Sequence, residues 1–124
     1  MAVPRITKED LKLRIDGANG EPPVLVDVRL KYPYEHSTVK LPGAIRLHPE
    51  TPDVSALPRD RDLVLYDSDP SELVAERVGE GLIKSGYRVF ALLGGLGDWV
   101  TAKLPTETKP APQPAATAAA APKG

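Results

Sequence analysis

The sequence predicts an α/β fold with a sheet of parallel strands that is buried on both faces. Four short apolar runs between residues 24 and 93 are continuous rather than alternating, and continuous runs are typical of strands covered on both sides. Stretches with helix-start signals or helical spacing stand between several of these runs, which favours helical crossovers packed on the sheet. The length of 124 residues fits one folded unit without a second sizeable core.

The first predicted helix begins after Thr7. Threonine is a good N-cap, Asp10 follows three positions later, and three aliphatic residues follow by position 15. Gly17 is expected to end this helix, because glycine readily adopts the left-handed conformation of a helix stop. Pro22-Pro23 then interrupts local structure before the first strand.

Four segments are predicted to be strands, each bounded by turn-forming or polar residues. They are residues 24–26, which lead into Asp27-Val28-Arg29, and residues 44–47, 63–66 and 89–93. The turn Leu41-Pro42-Gly43 precedes the second strand, and Gly94-Gly95 follows the fourth. Ligands of parallel sheets bind beyond the carboxyl ends of the strands, so the polar residues after these runs are the candidates for a functional site.

A longer helix is predicted between the third and fourth strands. Its apolar stripe consists of Val74, Val78 and Leu82, with Leu73 and Ile83 beside it. Pro70 suits the first helical turn because its fixed φ matches the helix and its missing N–H has no helical partner. Gly86 is expected to stop this helix, and a last short helix is predicted over residues 96–103.

Composition and charge restrict the functional classes. With 16 basic and 17 acidic side chains the formal charge is −1, which gives no broad attraction for nucleic acid. No apolar run approaches the roughly 18 residues of a membrane span, and the N-terminal residues do not resemble a signal peptide. The absence of cysteine excludes disulfides, zinc–thiolate sites and every thiol nucleophile within this chain. We expect a cytoplasmic protein that binds neither nucleic acid nor membrane.

The composition changes after Leu104. Residues 105–124 hold five prolines and seven alanines but no large apolar side chain, so they cannot bury enough surface to offset the entropy of ordering. We therefore predict a folded domain over residues 1–104 and a disordered Pro/Ala-rich tail over residues 105–124. Such a tail could also be a peptide ligand for a groove of a partner protein.

Several short motifs follow one another in a specific order. They are Leu25-Val26-Asp27-Val28-Arg29, Tyr34-Glu35, Leu41-Pro42-Gly43-Ala44, the strand into Tyr66, Ser85-Gly86-Tyr87, and residues 89–95 followed by Trp99. In this order and spacing they resemble a rhodanese (sulfurtransferase-like) domain over roughly residues 5–104. The resemblance implies a five-stranded parallel sheet with helices on both faces.

The loop after the third predicted strand departs from the pattern of active family members. Their loop has the form Cys-x-x-Gly-x-Arg-Ser, and its cysteine carries a persulfide. Alignment by position places Asp67, Pro70, Glu72 and Leu73 at the cysteine, glycine, arginine and serine positions. A carboxylate cannot hold a transferable sulfur, and Asp67, Asp69 and Glu72 would weaken anion capture. We expect no sulfurtransferase, cysteine-phosphatase or arsenate-reductase activity.

The same loop is the candidate binding site: Asp67, Ser68, Asp69, Pro70, Ser71 and Glu72. One role is structural, with Ser68 or Asp69 capping the following helix and Asp67 acting as a built-in anion in its own cradle. A compatible role is recognition, in which an exposed acidic loop contacts a basic or amide-rich partner protein. The resemblance further implies that Arg29 pairs with Asp27 or Glu35 and braces the turn below the loop.

Other functions remain open at this point. Asp67-Ser68-Asp69 after an apolar strand resembles the opening of haloacid-dehalogenase-type phosphatases, in which paired carboxylates hold magnesium. The residual pocket around residues 67–72 could instead bind a small cationic ligand, or the domain could be a scaffold. His36 and His48 share no metal-ligand spacing, so we expect no metal and no cofactor.

Overall fold

A computed structural model describes residues 2–18 and 20–109 of the chain. Their elements in chain order are β1 (Arg5–Ile6), α1 (Lys8–Ile15), β2 (Val24–Asp27), α2 (Lys31–His36), β3 (Val39–Lys40), β4 (Ile45–Arg46), a 3-10 turn (Val54–Ala56), β5 (Asp62–Tyr66), α3 (Leu73–Lys84), β6 (Arg88–Leu92), α4 (Gly95–Thr101) and β7 (Glu107–Thr108). Five of the strands form one parallel sheet in the order β1-β6-β5-β2-β4. The predicted α/β class and five-stranded parallel sheet are confirmed.

The four predicted strands are β2, β4, β5 and β6, with ends that differ by a few residues. The fifth strand is β1, in which Arg5 and Ile6 pair with Ala91 and Leu92. Two residues carry no periodic signal, so the sequence alone did not reveal this edge strand. Because all five strands run in one direction, the segments that follow β2, β5 and β6 lie at the same edge of the sheet, called here the carboxyl edge.

Helices cover both faces of the sheet, as predicted. On one face α3 packs its stripe of Val74, Val78 and Leu82 on residues of β2, β5 and β6. On the other face α1 and α4 contribute Leu11, Leu96 and the fully buried Trp99. The side chains of each inner strand alternate between these two clusters, which explains why the strands are apolar throughout.

The predicted helix ends are correct for α1 and partly correct for α3. Thr7 Oγ1 accepts the N–H of Asp10 at 3.1 Å, and Gly17 adopts a φ of +94° beyond the last turn of α1. Gly86 has a φ of +95° after α3. Pro70, however, precedes the helix instead of occupying its first turn, because α3 begins at Leu73.

A small antiparallel sheet corrects the predicted domain boundary at residue 104. In this sheet β3 pairs with β7, and Lys109 N–H donates to the carbonyl of Thr38 at 2.8 Å. Lys109 is buried, with Nζ 4.1 Å from the centroid of the Tyr34 ring. Residues 105–109 therefore belong to the folded domain, held by backbone pairing that composition does not reveal. The remainder of the predicted tail, residues 110–124, lies outside the described residues.

Across residues 2–18 and 20–109, every helix is too short or too polar to cross a bilayer.

Candidate functional site

The loop of residues 67–72 joins β5 to α3 at the carboxyl edge and is held against the turn after β6. The N–H of Leu96 donates to the carbonyl of Asp67 at 2.9 Å. Gly95 makes this approach possible, since it has a φ of +66° and a Cβ there would lie 2.7 Å from the Asp67 carbonyl oxygen. The Gly94-Gly95 pair, which the sequence predicted as a turn, therefore also allows the loop to pack closely against the start of α4.

Asp67 fills the cradle that its own loop forms. Its side chain is 1% exposed, Oδ1 accepts the N–H of Asp69 at 3.0 Å, and Oδ2 accepts the N–H of Ala75 at 2.8 Å. Ala75 lies in the first turn of α3, so Asp67 caps the helix and acts as the predicted built-in anion. Burial raises the pKa of Asp67, while the two backbone N–H groups oppose that rise.

The predicted caps Ser68 and Asp69 do not cap the helix. Ser68 is exposed, and Asp69 Oδ1 instead accepts the N–H of Ser71 at 2.7 Å within the loop. The residue directly before α3 is Glu72, in the left-handed region with a φ of 56° and without a side-chain capping bond. The helix α3 is thus capped by Asp67, which lies several residues before its first turn. A rule that looks for the cap directly before the helix does not predict this residue.

Glu72 is buried and bonded, which corrects the view of an exposed acidic loop. Its Oε1 accepts Arg5 Nε at 2.8 Å, and its Oε2 accepts the N–H of Gly94 at 2.8 Å. This one carboxylate joins β1, the turn after β6 and the start of α3. Asp67 and Glu72 are therefore structural charges, and only Asp69 is a partly exposed carboxylate of the loop.

The Asp27–Arg29 pair is present in the predicted place. Both side chains are 1% exposed, and Arg29 donates to Asp27 through Nε at 3.0 Å and Nη2 at 2.6 Å. The hydroxyl of Tyr66 also donates to Asp27 at 3.1 Å, and burial raises the pKa of that phenol. Glu35 is exposed on α2, and the hydrogen bonds and ion pairs of the described residues do not include it. Of the two predicted partners of Arg29, the structure brings only Asp27 to it.

A cationic cluster around Tyr34 was not predicted. Arg46 Cζ lies 4.0 Å, Lys109 Nζ 4.1 Å and Arg29 Cζ 5.2 Å from the centroid of the Tyr34 ring. Cations at these distances are attracted by the ring quadrupole. Arg46 and Lys109 are far apart in sequence and carry no motif, so no sequence signal could have joined them to Tyr34.

Two adjoining pockets at the carboxyl edge share Pro33 and Ser68, and together they are called the edge groove. The first has a volume of about 290 Å³ and is lined by Leu30, Pro33, Asp67, Ser68, Asp69, Pro70 and Val74. The second has a volume of about 420 Å³ and is lined by Arg29, Pro33, Ser37, Val39, Ser68, Leu96, Gly97, Val100 and Thr101. The groove therefore runs between α2 and α4 across the loop.

The backbone N–H groups of the loop in the groove are already occupied by a carboxylate of the chain. The chain holds no thiol, and a carboxylate with both oxygens accepting backbone N–H groups occupies the nucleophile position. The same bonds leave the alternative of a phosphatase nucleophile at Asp67 without support. In the part of the chain that the structure describes, no three His, Cys, Asp or Glu side chains are grouped to hold a metal ion. His36 and His48 are both exposed.

Comparisons with known proteins agree with this architecture. A family model described as rhodanese-like domain matches residues 7–102. A protein of Lactobacillus plantarum with a solved structure is 24% identical, with a TM-score of 0.72 over 85% of this chain and 88% of that chain. The BH2092 protein of Bacillus halodurans is 23% identical, with a TM-score of 0.72 over 84% of this chain and 76% of that chain. At these identities both structures show the fold alone.

A third similar structure is the rhodanese-like domain of the Alr3790 protein from Anabaena. It is 27% identical, with a TM-score of 0.69 over 84% of this chain and 78% of that chain. A comparison with curated protein sequences gave no significant match.

Proposed function

The chain belongs to the rhodanese-like domain family, and we propose that it is a member without sulfurtransferase activity that serves as a protein-binding or regulatory module. Sulfur transfer requires a thiolate that can hold a sulfur atom, and the chain contains no cysteine. The position of the nucleophile is held by Asp67, whose carboxylate takes the backbone N–H groups that would otherwise face an anionic donor. Asp67 thus satisfies these N–H groups of the loop without a bound substrate.

The observation that carries the binding role is the distribution of exposed apolar side chains. Six large apolar residues are exposed among the described residues, and five of them belong to segments that follow β2, β5 or β6. These five, called the edge patch, are Leu30, Tyr32, Leu73, Leu93 and Val100. Leu30, Leu73 and Leu93 lie at the junctions between a strand and the helix that follows it at the carboxyl edge, and exposed apolar side chains at such positions favour a protein interaction surface.

The edge groove and the edge patch share two residues. Leu30 and Val100 line the two halves of the groove and are also exposed, at 40% and 44%. A groove with apolar margins that remain in water suits a protein partner better than a small molecule, because a small ligand would leave the margins uncovered. The proposed setting is the cytoplasm, a compartment in which a chain without disulfides is ordinary.

A thiosulfate:cyanide assay tests the loss of sulfur transfer. We expect no turnover above the rate without protein, at concentrations where a cysteine-containing rhodanese used as a positive control is fully active. Clear turnover by this chain would refute the proposal.

Site-specific photocrosslinking tests the binding role. A photoreactive residue replaces Ser68 in the groove, and in a matched control it replaces Ser85, which is also exposed but lies at the far end of α3. In lysate of the source organism we expect a discrete adduct from position 68 that is absent from position 85 and lost in Leu30→Asp. Equal labelling at both positions, or none at position 68, would contradict a partner at this face.

A further inference from the structure

The shape of the edge groove restricts what it can bind. Its two halves share Pro33 and Ser68 and are otherwise lined by different residues. The first half lies between α2, the loop of residues 67–70 and the start of α3, and the second half lies between α2 and α4. A chain segment in an extended conformation that crosses Pro33 and Ser68 can place side chains in both halves, which a compact ligand cannot do.

Both halves offer apolar contacts. Leu30, Pro70 and Val74 line the first half, and Leu96 and Val100 line the second. Each half is large enough for an aliphatic side chain, whose burial there would favour binding. The groove therefore selects segments with apolar residues on both sides of its centre.

The charges of the groove select for a cation. Three side chains with ionisable groups line it: Arg29, Asp67 and Asp69. Arg29 is neutralised by Asp27, and both oxygens of Asp67 accept backbone N–H groups.

Asp69 is different from the other two. It accepts one N–H, from Ser71, and within residues 2–18 and 20–109 it forms no ion pair. A partner that covers this carboxylate without a cation would leave a charge buried and unpaired, which is costly.

On these grounds we propose that the edge groove binds an extended, apolar segment of a partner protein that carries one lysine or arginine paired with Asp69. This inference rests on the proposed protein-binding function and names the chemistry of the partner. Apolar residues on either side of the basic residue fill the two halves of the groove, and the cation of the basic residue meets the free oxygen of Asp69. Acidic segments are rejected because they would place like charge beside Asp67 and Asp69.

A peptide array tests this proposal with the full-length protein. The probes are extended nonapeptides with aliphatic flanks and a central Lys, Arg, norleucine or Glu, together with a peptide of residues 110–124 of this chain. We expect binding of the Lys and Arg series, weaker binding of norleucine and none of Glu. In Asp69→Asn the affinity for the Lys and Arg peptides falls by about tenfold or more, while norleucine peptides are unaffected.

The Asn variant keeps a side-chain oxygen for the N–H of Ser71, so the loop is expected to stay folded, and thermal unfolding verifies this. Asp60→Asn is the matched control, because Asp60 is exposed and precedes β5, at the opposite edge of the sheet from the groove. It should leave every peptide affinity unchanged. Asp69→Lys should instead favour the Glu series over the Lys series.

Other outcomes overturn the inference. Equal binding of the Lys and norleucine peptides, or an unchanged affinity of the Lys and Arg peptides for Asp69→Asn, would show that the groove does not require a basic residue. Selection of the peptide of residues 110–124 over the basic series would assign the groove to this chain's own segment, and a dimer abolished by Leu30→Asp would assign it to a second copy. Photocrosslinking at position 68 distinguishes failure of this inference from failure of the proposed function. An adduct at position 68 would support protein binding at this face even where the peptide array contradicts the requirement for a basic residue.

Discussion

Two regions at the carboxyl edge bury a carboxylate in different ways. Asp27, the last residue of β2, is neutralised by the guanidinium of Arg29, whereas Asp67, directly after β5, is held by the backbone N–H groups of Asp69 and Ala75. Both side chains are 1% exposed. The first region depends on other side chains, chiefly Arg29, and the second depends on the path of the backbone. Asp67 is therefore held by main-chain N–H groups without a counter-charge, whereas Glu72, the other buried carboxylate of the loop, is paired with Arg5.

The largest expected effect comes from removing the side chain on which Asp27 depends. Arg29→Met leaves the buried carboxylate of Asp27 with the backbone N–H of residue 29 and the Tyr66 hydroxyl as donors, and with Arg46 Nη1 at 3.7 Å as its remaining cation. The free energy of unfolding should therefore fall by about 3 kcal/mol, at the lower end of the cost of breaking a buried ion pair. Urea denaturation measures the loss. Arg77→Met on the exposed side of α3, where Arg77 has no ion pair within the described segment, is the control and should change stability by less than about 0.5 kcal/mol. A loss below 1 kcal/mol in Arg29→Met, on the scale of ordinary surface changes, would mean that this pair is not the support of the region.

A smaller effect is expected where the loop relies on the backbone. Gly95→Ala places a Cβ 2.7 Å from the Asp67 carbonyl oxygen at a φ of +66°, so stability should fall by about 2 kcal/mol. Gly97→Ala is the matched control in the same helix, because its Cβ would contact nothing within 4 Å and helix propensity favours alanine. Chemical denaturation compares the two variants. If both gained stability, the close approach of the loop to α4 would not be required.

The smallest effect is on the pH dependence of stability. Burial raises the pKa of Asp67 in the folded chain above its ordinary value, so folding favours the protonated form of this group. Its contribution is fully present below the ordinary pKa of an aspartate and is lost as the pH rises through the higher folded pKa. Relative to Asp67→Asn, the wild type should therefore lose stability as the pH rises above about 4, the ordinary pKa of an aspartate.

Asp62 gives the opposite sign and serves as the internal reference. The guanidinium of Arg88 is the main reason that the pKa of Asp62 is lowered, so its contribution is present at neutral pH and is lost as the pH falls. Urea unfolding of Asp67→Asn and Asp62→Asn at pH values both below and above about 4, the ordinary pKa of an aspartate, distinguishes the two carboxylates. If the two difference curves had the same slope, backbone capping and side-chain pairing would not differ in the way described here.

The sequence was sufficient for the cap at Thr7, because a cap depends on residues close in the chain. Its continuous apolar runs were sufficient for a parallel sheet buried on both faces, and the pair of Asp27 and Arg29 was one of two pairings implied by the resemblance to rhodanese domains. The sequence was insufficient for β1 and β7, because two-residue strands carry no periodic pattern. The cluster of Arg46 and Lys109 on Tyr34 likewise has no local signal.

What the sequence determined by itself is the chemistry that this loop cannot perform. A chain without cysteine has no sulfur nucleophile in any conformation. What only the tertiary structure decided is which acidic residues of the loop remain available. Asp67 is buried and accepts the N–H of Ala75, and Glu72 is buried and accepts hydrogen bonds from Arg5 and Gly94. Of the three acidic residues, only Asp69 remains accessible at the groove. The exposure of a charged side chain depends on burial and on hydrogen bonds between segments that are distant in the chain. The order of charged residues along the sequence does not show these contacts.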